Sequence, residues 1–466
     1  MILIAALIYI GKILGGLALV HLVWDAREPK QLLFKLFLGV GAGLGLSSML
    51  YFLWFWVGLP ATYYPYFELL LIAVLLAATF SREFQSHPRG ATVFQLSRPD
   101  ARTVAWLVLL IVAAALSTLN FALYSAQSPH GYEDAWTIWN SAARFIYLAG
   151  DQWLALMANG SWFHSDYPVM LGLNVAEGWS IVGMDTTRIP MVVAYIFDFA
   201  VVGLLFSALM ISKDFEQGAL AAILIASVTQ LPFLGAWQYA DVPLSYFFLA
   251  TGVLFYLYTL LGETRLVVLA GLFACLAAWT KNEGVPFVLL SLCITLSLSV
   301  LKKNNLLKHF GMGALFPAMV ILLFKVAAPP SDLFVDKTKS LLQLVDLSRY
   351  QVIFGKMGAF IFSFGGWPVS FALVLLVYIL FLAAKPRYQG NLWFPALLCL
   401  FQLAGYFVIY LITPHGLANH IDTSLDRLLF HLFPLALFTV FCALPSPREI
   451  FAGTPPAGSQ ASPEQG

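Results

Sequence analysis

The chain reads as an all-α polytopic membrane protein, a helix bundle set in lipid, and three observations predict it. Hydrophobic residues make up 60% of the chain and charged residues only 11%, against roughly 25% charged in soluble domains. Apolar runs continue for about 20 residues, the length that crosses a bilayer as a helix. Those runs lack the two-residue alternation of barrel strands, and only helices and closed barrels satisfy their backbone in lipid.

On that template about thirteen spans are expected. They are Ile2–Trp24, Leu32–Val57, Tyr63–Phe80, Thr103–Tyr124, Ile189–Ile211, Ala219–Ala236 and Val242–Leu261 in the first part of the chain. Leu266–Thr280, Val285–Leu301, Phe310–Ala328, Trp367–Ala384, Trp393–Ile412 and Leu428–Leu444 follow. Leu266–Thr280 is short, and Gln351–Gly366 has the character of a half-inserted helix. The first run is longer than a signal-peptide core and lacks a charged leader, so it is expected to be retained. The four cysteines, Cys275, Cys293, Cys399 and Cys442, sit in apolar runs without metal spacing and read as small buried residues.

Lys and Arg in the loops set the orientation, because they concentrate on the cytoplasmic side. With the acidic pair Glu133-Asp134 outside, fifteen basic residues fall inside, among them Arg82, Lys213, Lys303 and Lys308, and nine fall outside. The expected organisation is a three-helix N-terminal extension with its cytoplasmic loop (1–102) and a transmembrane core (103–445). That core carries outer loops 125–188 and 329–366, and a disordered tail follows (446–466). No internal repeat, soluble domain, basic nucleic-acid arm or nucleotide-binding motif is present.

The longest polar interruption runs from Pro129 to Pro168, and it holds the first candidates. A carboxylate at a membrane surface can take the proton from an attacking hydroxyl, and Asp134 with its neighbour Glu133 could do so. The competing role for Asp134 is to cap the helix that follows. From Asp134 to Leu148, Trp136, Trp139, Ala143, Ile146 and Tyr147 recur at helical spacing, the pattern of a helix lying in the interface. His164-Ser165-Asp166-Tyr167-Pro168 can line a pocket or simply turn the chain. Glu133, Asp134, His164 and Asp166 together are a candidate ligand set for a divalent cation, with no metal otherwise indicated.

Further along, Asp241 stands at the outer mouth of one span and Lys281-Asn282-Glu283 at another. Arg427 is expected to open the last span, after a short outer loop that includes His420. A leaving phosphate needs a cation, which Lys281 can supply as a point charge and Arg427 as a two-pronged donor. Asp198 reads as the one acid deep within an apolar span, with Lys325 as a partner.

Taken in order, these motifs resemble the polytopic C-type (GT-C) glycosyltransferases, in particular the bacterial branch related to protein O-mannosyltransferases and the lipid A aminoarabinose transferase. The likeness rests on Glu133-Asp134 with Trp136, His164-x-Asp166-Tyr167-Pro168, Ala240-Asp241-Val242-Pro243, Lys281-Asn282-Glu283-Gly284 and Ser424-Leu425-Asp426-Arg427. It covers roughly Thr103 to Leu444, and the order Glu-Asp departs from the Asp-Glu of the mannosyltransferases. The resemblance implies a cell-envelope transferase moving a sugar from a polyprenyl-phosphate donor to a hydroxyl on a glycan, lipid or protein acceptor. It places the reaction on the extracytoplasmic face of the cell membrane, with inversion. It gives Asp134 the place of the catalytic base, Glu133 the flanking place, His164 and Asp166 the acceptor side, and Arg427 the donor phosphate. The rival class is a transporter or flippase of lipid-linked or polar substrates, which would carry broken helices and ionisable groups near midplane.

Overall fold

The computed structural model describes residues 2–86, 100–301, 303–330, 342–382 and 390–451, and among them every regular element is a helix. The tail from Gly453, Lys385, Arg387, Lys302, most of the loop between Ser81 and Arg102, and residues 331–341 lie outside the described part. The first helices are α1 (Ile2–Val23), α2 (Pro29–Trp56), α3 (Tyr64–Ser86) and α4 (Ala101–Gln127). The polar interruption then carries α5 (Asn140–Ala149), α6 (Trp153–Ala158) and α7 (Met170–Val182). After it come α8 (Arg188–Ser212), α9 (Phe215–Ser227), α10 (Gln230–Ala236), α11 (Asp241–Leu261) and α12 (Arg265–Thr280). The chain continues through α13 (Gly284–Leu301), α14 (Leu306–Ala327), α15 (Leu347–Ser363) and α16 (Phe371–Leu382). It ends with α17 (Trp393–Ile412), α18 (Leu417–Ala443) and α19 (Pro447–Phe451).

Among the described residues ten helical segments are long and apolar enough to cross a membrane, or eleven if the bent pair α9–α10 is one span. This is a multi-pass membrane protein. The expected span Ala219–Ala236 is broken: α9 and α10 meet at 58°. Pro232 has no N–H to donate to the Val228 carbonyl, so it is accommodated in the first turn of a new helix rather than inside an old one. The Thr229 N–H freed at the break donates to the Gly365 carbonyl at 3.2 Å.

Close helix approach depends on small residues, the usual solution in lipid. A Cβ on Gly16 would meet the Gly39 carbonyl, and one on Gly43 would meet that of Lys12, so α1 and α2 touch backbone to backbone. α2 is also tied to later helices, because the Tyr246 hydroxyl donates to the Phe37 carbonyl at 2.7 Å and Trp279 Nε1 donates to Ser48 at 2.9 Å.

Three expectations about elements are corrected. α18 starts at Leu417, so Arg427 lies ten residues into a continuous helix instead of opening it; buried Ile421, Leu425 and Leu428 supply the helical stripe. The chain after Asp134 is helical, but Trp136 is 56% exposed while Ala135, Ile138, Trp139, Ala143 and Ile146 are buried. A π turn over Ala135–Trp139 shifts the register, taking Trp136 off the expected face. Cys293 is exposed and Cys399 only half-buried, unlike Cys275 and Cys442.

Asp198 is also not the only acid within the helices. Lys12 of α1 donates to Glu177 of α7 at 2.5 Å and lies 3.8 Å from Glu68 of α3. Asn174 accepts from the same ammonium at 3.3 Å. These side chains are at most 4% exposed, so one cation and two acids join α1 and α3 to α7 away from water.

Candidate functional site

Asp241 is the centre of a second buried network, at one end of the bundle. As the first residue of α11 it lies in the positive field of that helix's free N–H groups, which favours a carboxylate. It is fully buried. Its Oδ1 accepts from Lys281 Nζ at 3.0 Å and lies 2.7 Å from His431 Nε2, and its Oδ2 accepts from Arg427 Nη2 at 3.3 Å. His431 Nδ1 lies 3.0 Å from the Tyr406 hydroxyl. That pair of contacts fits a ring that donates from Nε2 and accepts at Nδ1.

Arg427 extends the network to the first polar loop, 293 residues earlier in sequence, where its Nη2 donates to Asp134 Oδ2 at 2.5 Å. The guanidinium also lies over the Tyr239 ring, 4.6 Å from its centre. Asp134 makes no cap bond to the helix it precedes, so its carboxylate serves the long-range contact instead. It keeps partial access to solvent, with 23% of the side chain exposed. Arg427 Nε is buried and has no acceptor among the described residues.

Lys281 follows α12 in extended conformation, which carries its ammonium between Asp241 and Glu283, each at 3.0 Å. Burial works against its charge, but Asp241 and Glu283 outweigh it and raise its pKa. Asn282 ties this loop to the His164–Pro168 turn: its Nδ2 donates to Asp166 at 2.9 Å, and its Oδ1 accepts from Lys325 at 2.6 Å. Lys325 also donates to the Asp166 carbonyl at 2.9 Å. His164 has left-handed backbone (φ 54°), which aims its ring flat onto Tyr167 at 4.7 Å and brings Nδ1 to 3.6 Å from Asp166. Burial first, and then the carboxylates of Glu283, Asp166 and Asp134, hold the Tyr167 phenol above its usual range.

Most of the expected site residues therefore meet. Asp134, Arg427, Asp241, Lys281 and Glu283 share ion pairs, and Asn282 joins Asp166, His164 and Tyr167 to them. Two stand apart. Glu133 is exposed and pairs with no cation among the described residues. His420 lies about two turns before Arg427 on α18, bonded to Thr413 at 2.8 Å.

The candidate metal set Glu133, Asp134, His164 and Asp166 does not converge among the described residues, because Arg427 holds Asp134 and Asn282 holds Asp166. His21, Asp25 and Glu83 do bring ligand atoms within 4.8 Å of one another. Arg27 and Arg82 already neutralise those carboxylates, at 3.0, 3.4 and 3.2 Å. Lys325 does not pair with Asp198, whose Oδ1 has no partner among the described residues.

His431, Tyr239 and Tyr406 were missed, and Asn282 was named in its motif without a role. For His431 a signal existed: Ser424, Arg427 and His431 recur at helical spacing, but that signal needs α18 to begin before Arg427. No family model, curated protein or solved structure matches the chain.

Proposed function

We propose that the chain is an integral membrane glycosyltransferase. It moves a sugar from a polyprenyl-phosphate donor to an acceptor hydroxyl at the extracytoplasmic end of the bundle, with inversion. Under this reading α12, α16 and the bent pair cross the membrane with the ten long helices, making thirteen spans. One observation carries the proposal: Asp134 of the first loop and Arg427 of the last long helix are 2.5 Å apart, on a network that also holds Asp241 and Lys281. A half-exposed carboxylate beside buried cations is what displacement of a phosphate by a hydroxyl needs.

In the proposed step Arg427 orients Asp134 through Oδ2, and Oδ1 takes the proton of the acceptor hydroxyl. The acceptor oxygen bonds to the anomeric carbon from the face opposite the phosphate. The anomeric C–O bond breaks and its electron pair leaves on polyprenyl phosphate. Arg427 Nε, a buried donor with no acceptor among the described residues, and Lys281 receive that charge. Asp241, itself held by His431, keeps both cations in place. Purified protein is incubated with a panel of polyprenyl-phosphate sugars and an acceptor mixture. Asp134→Asn is expected to slow release of polyprenyl phosphate by roughly 10²–10⁴-fold. Equal release by variant and wild type would remove Asp134 from the chemistry.

A transporter or flippase is the second reading, and one observation favours it. Asp198, whose buried Oδ1 has no partner among the described residues, lies against Gly235 of α10, beside a broken span, as in ion-coupled carriers. Ion-driven substrate uptake into proteoliposomes that disappears in Asp198→Asn would decide for it.

A further inference from the structure

The helix that delivers Asp134 to Arg427 has a second functional face. Its buried side is Ala135, Ile138, Trp139, Ala142, Ala143 and Ile146. Away from that side, Trp136, Asn140 and Arg144 follow one another at four-residue steps and line a cavity of about 360 Å³. Trp179 of α7 and Asp185 of the loop before α8 form the facing wall. Nothing in the proposed displacement uses these groups.

Their chemistry selects a ligand class. Trp136 is 56% exposed, yet its indole N–H is already given to the Gly131 carbonyl at 3.1 Å, so the ring face is what it offers. Asn140 donates to the His130 carbonyl at 3.3 Å and to Gln238 at 2.7 Å, which leaves its Oδ1 as an acceptor. Arg144 Nε donates to Asp185 at 3.0 Å, which leaves the outer guanidinium nitrogens as donors. The arginine is already paired with a carboxylate, and the wall mixes ring faces with polar groups. An aromatic face with donors and acceptors around it suits a pyranose, whose C–H face is flat and apolar and whose rim is hydroxyl.

We propose that this cavity binds a sugar residue of a glycan acceptor, stacked on Trp136 and hydrogen-bonded to Arg144, Asn140 and Asp185. The assignment as an acceptor subsite rests on the transferase reading, since Trp136 follows Asp134 by two residues. The assignment as a saccharide site does not.

The test keeps them apart. The full chain in detergent is titrated, without donor, with di- to tetrasaccharides of glucose, mannose, galactose and N-acetylglucosamine, and binding is read by saturation-transfer NMR. At least one series is expected to bind. Trp136→Ala and Arg144→Ala are each expected to weaken it by about tenfold or more. Trp136→Phe, which keeps a ring, is expected to stay within about threefold of wild type and so controls for folding. Binding unchanged in Trp136→Ala, or no member bound at millimolar concentration, overturns the proposal. Polyprenyl phosphate release by the same wild-type preparation reports on the transferase reading separately.

Discussion

Lys12→Met puts a number on the buried triad that joins α1 and α3 to α7. Methionine keeps the length and apolar stem of the lysine while deleting its charge. Lys12 Nζ lies 2.5 Å from Glu177 and 3.8 Å from Glu68, and the exposures of the three side chains are 1%, 2% and 4%. Glu177 Oε1 already lacks a partner among the described residues, so the variant leaves that residue with no cation beside it among them. Removing one member of a buried pair costs about 3–5 kcal/mol, far more than the loss of a surface pair. Removing all three charges is close to neutral, so Lys12→Met with Glu68→Gln and Glu177→Gln is expected to recover most of the loss. Unfolding free energies from titration with a denaturing detergent in mixed micelles measure both. A loss under about 1 kcal/mol for the single variant, or a triple variant no better than the single, would refute the view that the triad is desolvated and coupled.

Two further outcomes follow from the same geometry. Arg427→Lys keeps the charge but removes the Nε donor and the planar fork, so turnover at saturating donor is expected to fall roughly 10²-fold; activity within threefold of wild type would show that guanidinium shape is not used. Gly43→Ala puts a methyl group into the Lys12 carbonyl across the α1–α2 contact. Overpacking of that kind costs about 1–3 kcal/mol in unfolding titrations, and a neutral result would mean the two helices do not approach so closely.

The site was partly legible because ionisable residues are rare in this chain, so Asp134, Asp241, Lys281, Glu283 and Arg427 stood out. Which of them touch was not legible. Asp134 at the start of a helix has the local signature of a cap, and only the approach of Arg427 from 293 residues away draws its carboxylate elsewhere. Lys12 escaped notice because a single cation in an apolar run carries no sign of its partner. The run from Leu417 to Asp426 looked like a loop because its mean polarity is high. Its apolar residues at helical spacing bury a stripe against neighbours that the sequence does not name.

Composition and run length by themselves determined that this is a helical multi-pass membrane protein, because lipid admits only helices and closed barrels and these continuous apolar runs lack the alternation of barrel strands. The break between α9 and α10, the register shift at the π turn, the Lys12 triad and the meeting of Asp134 with Arg427 were decided only in the tertiary structure. The reason is physical: a buried charge takes whichever opposite charge packing brings within about 4 Å, and that distance is set by helices far apart in the chain.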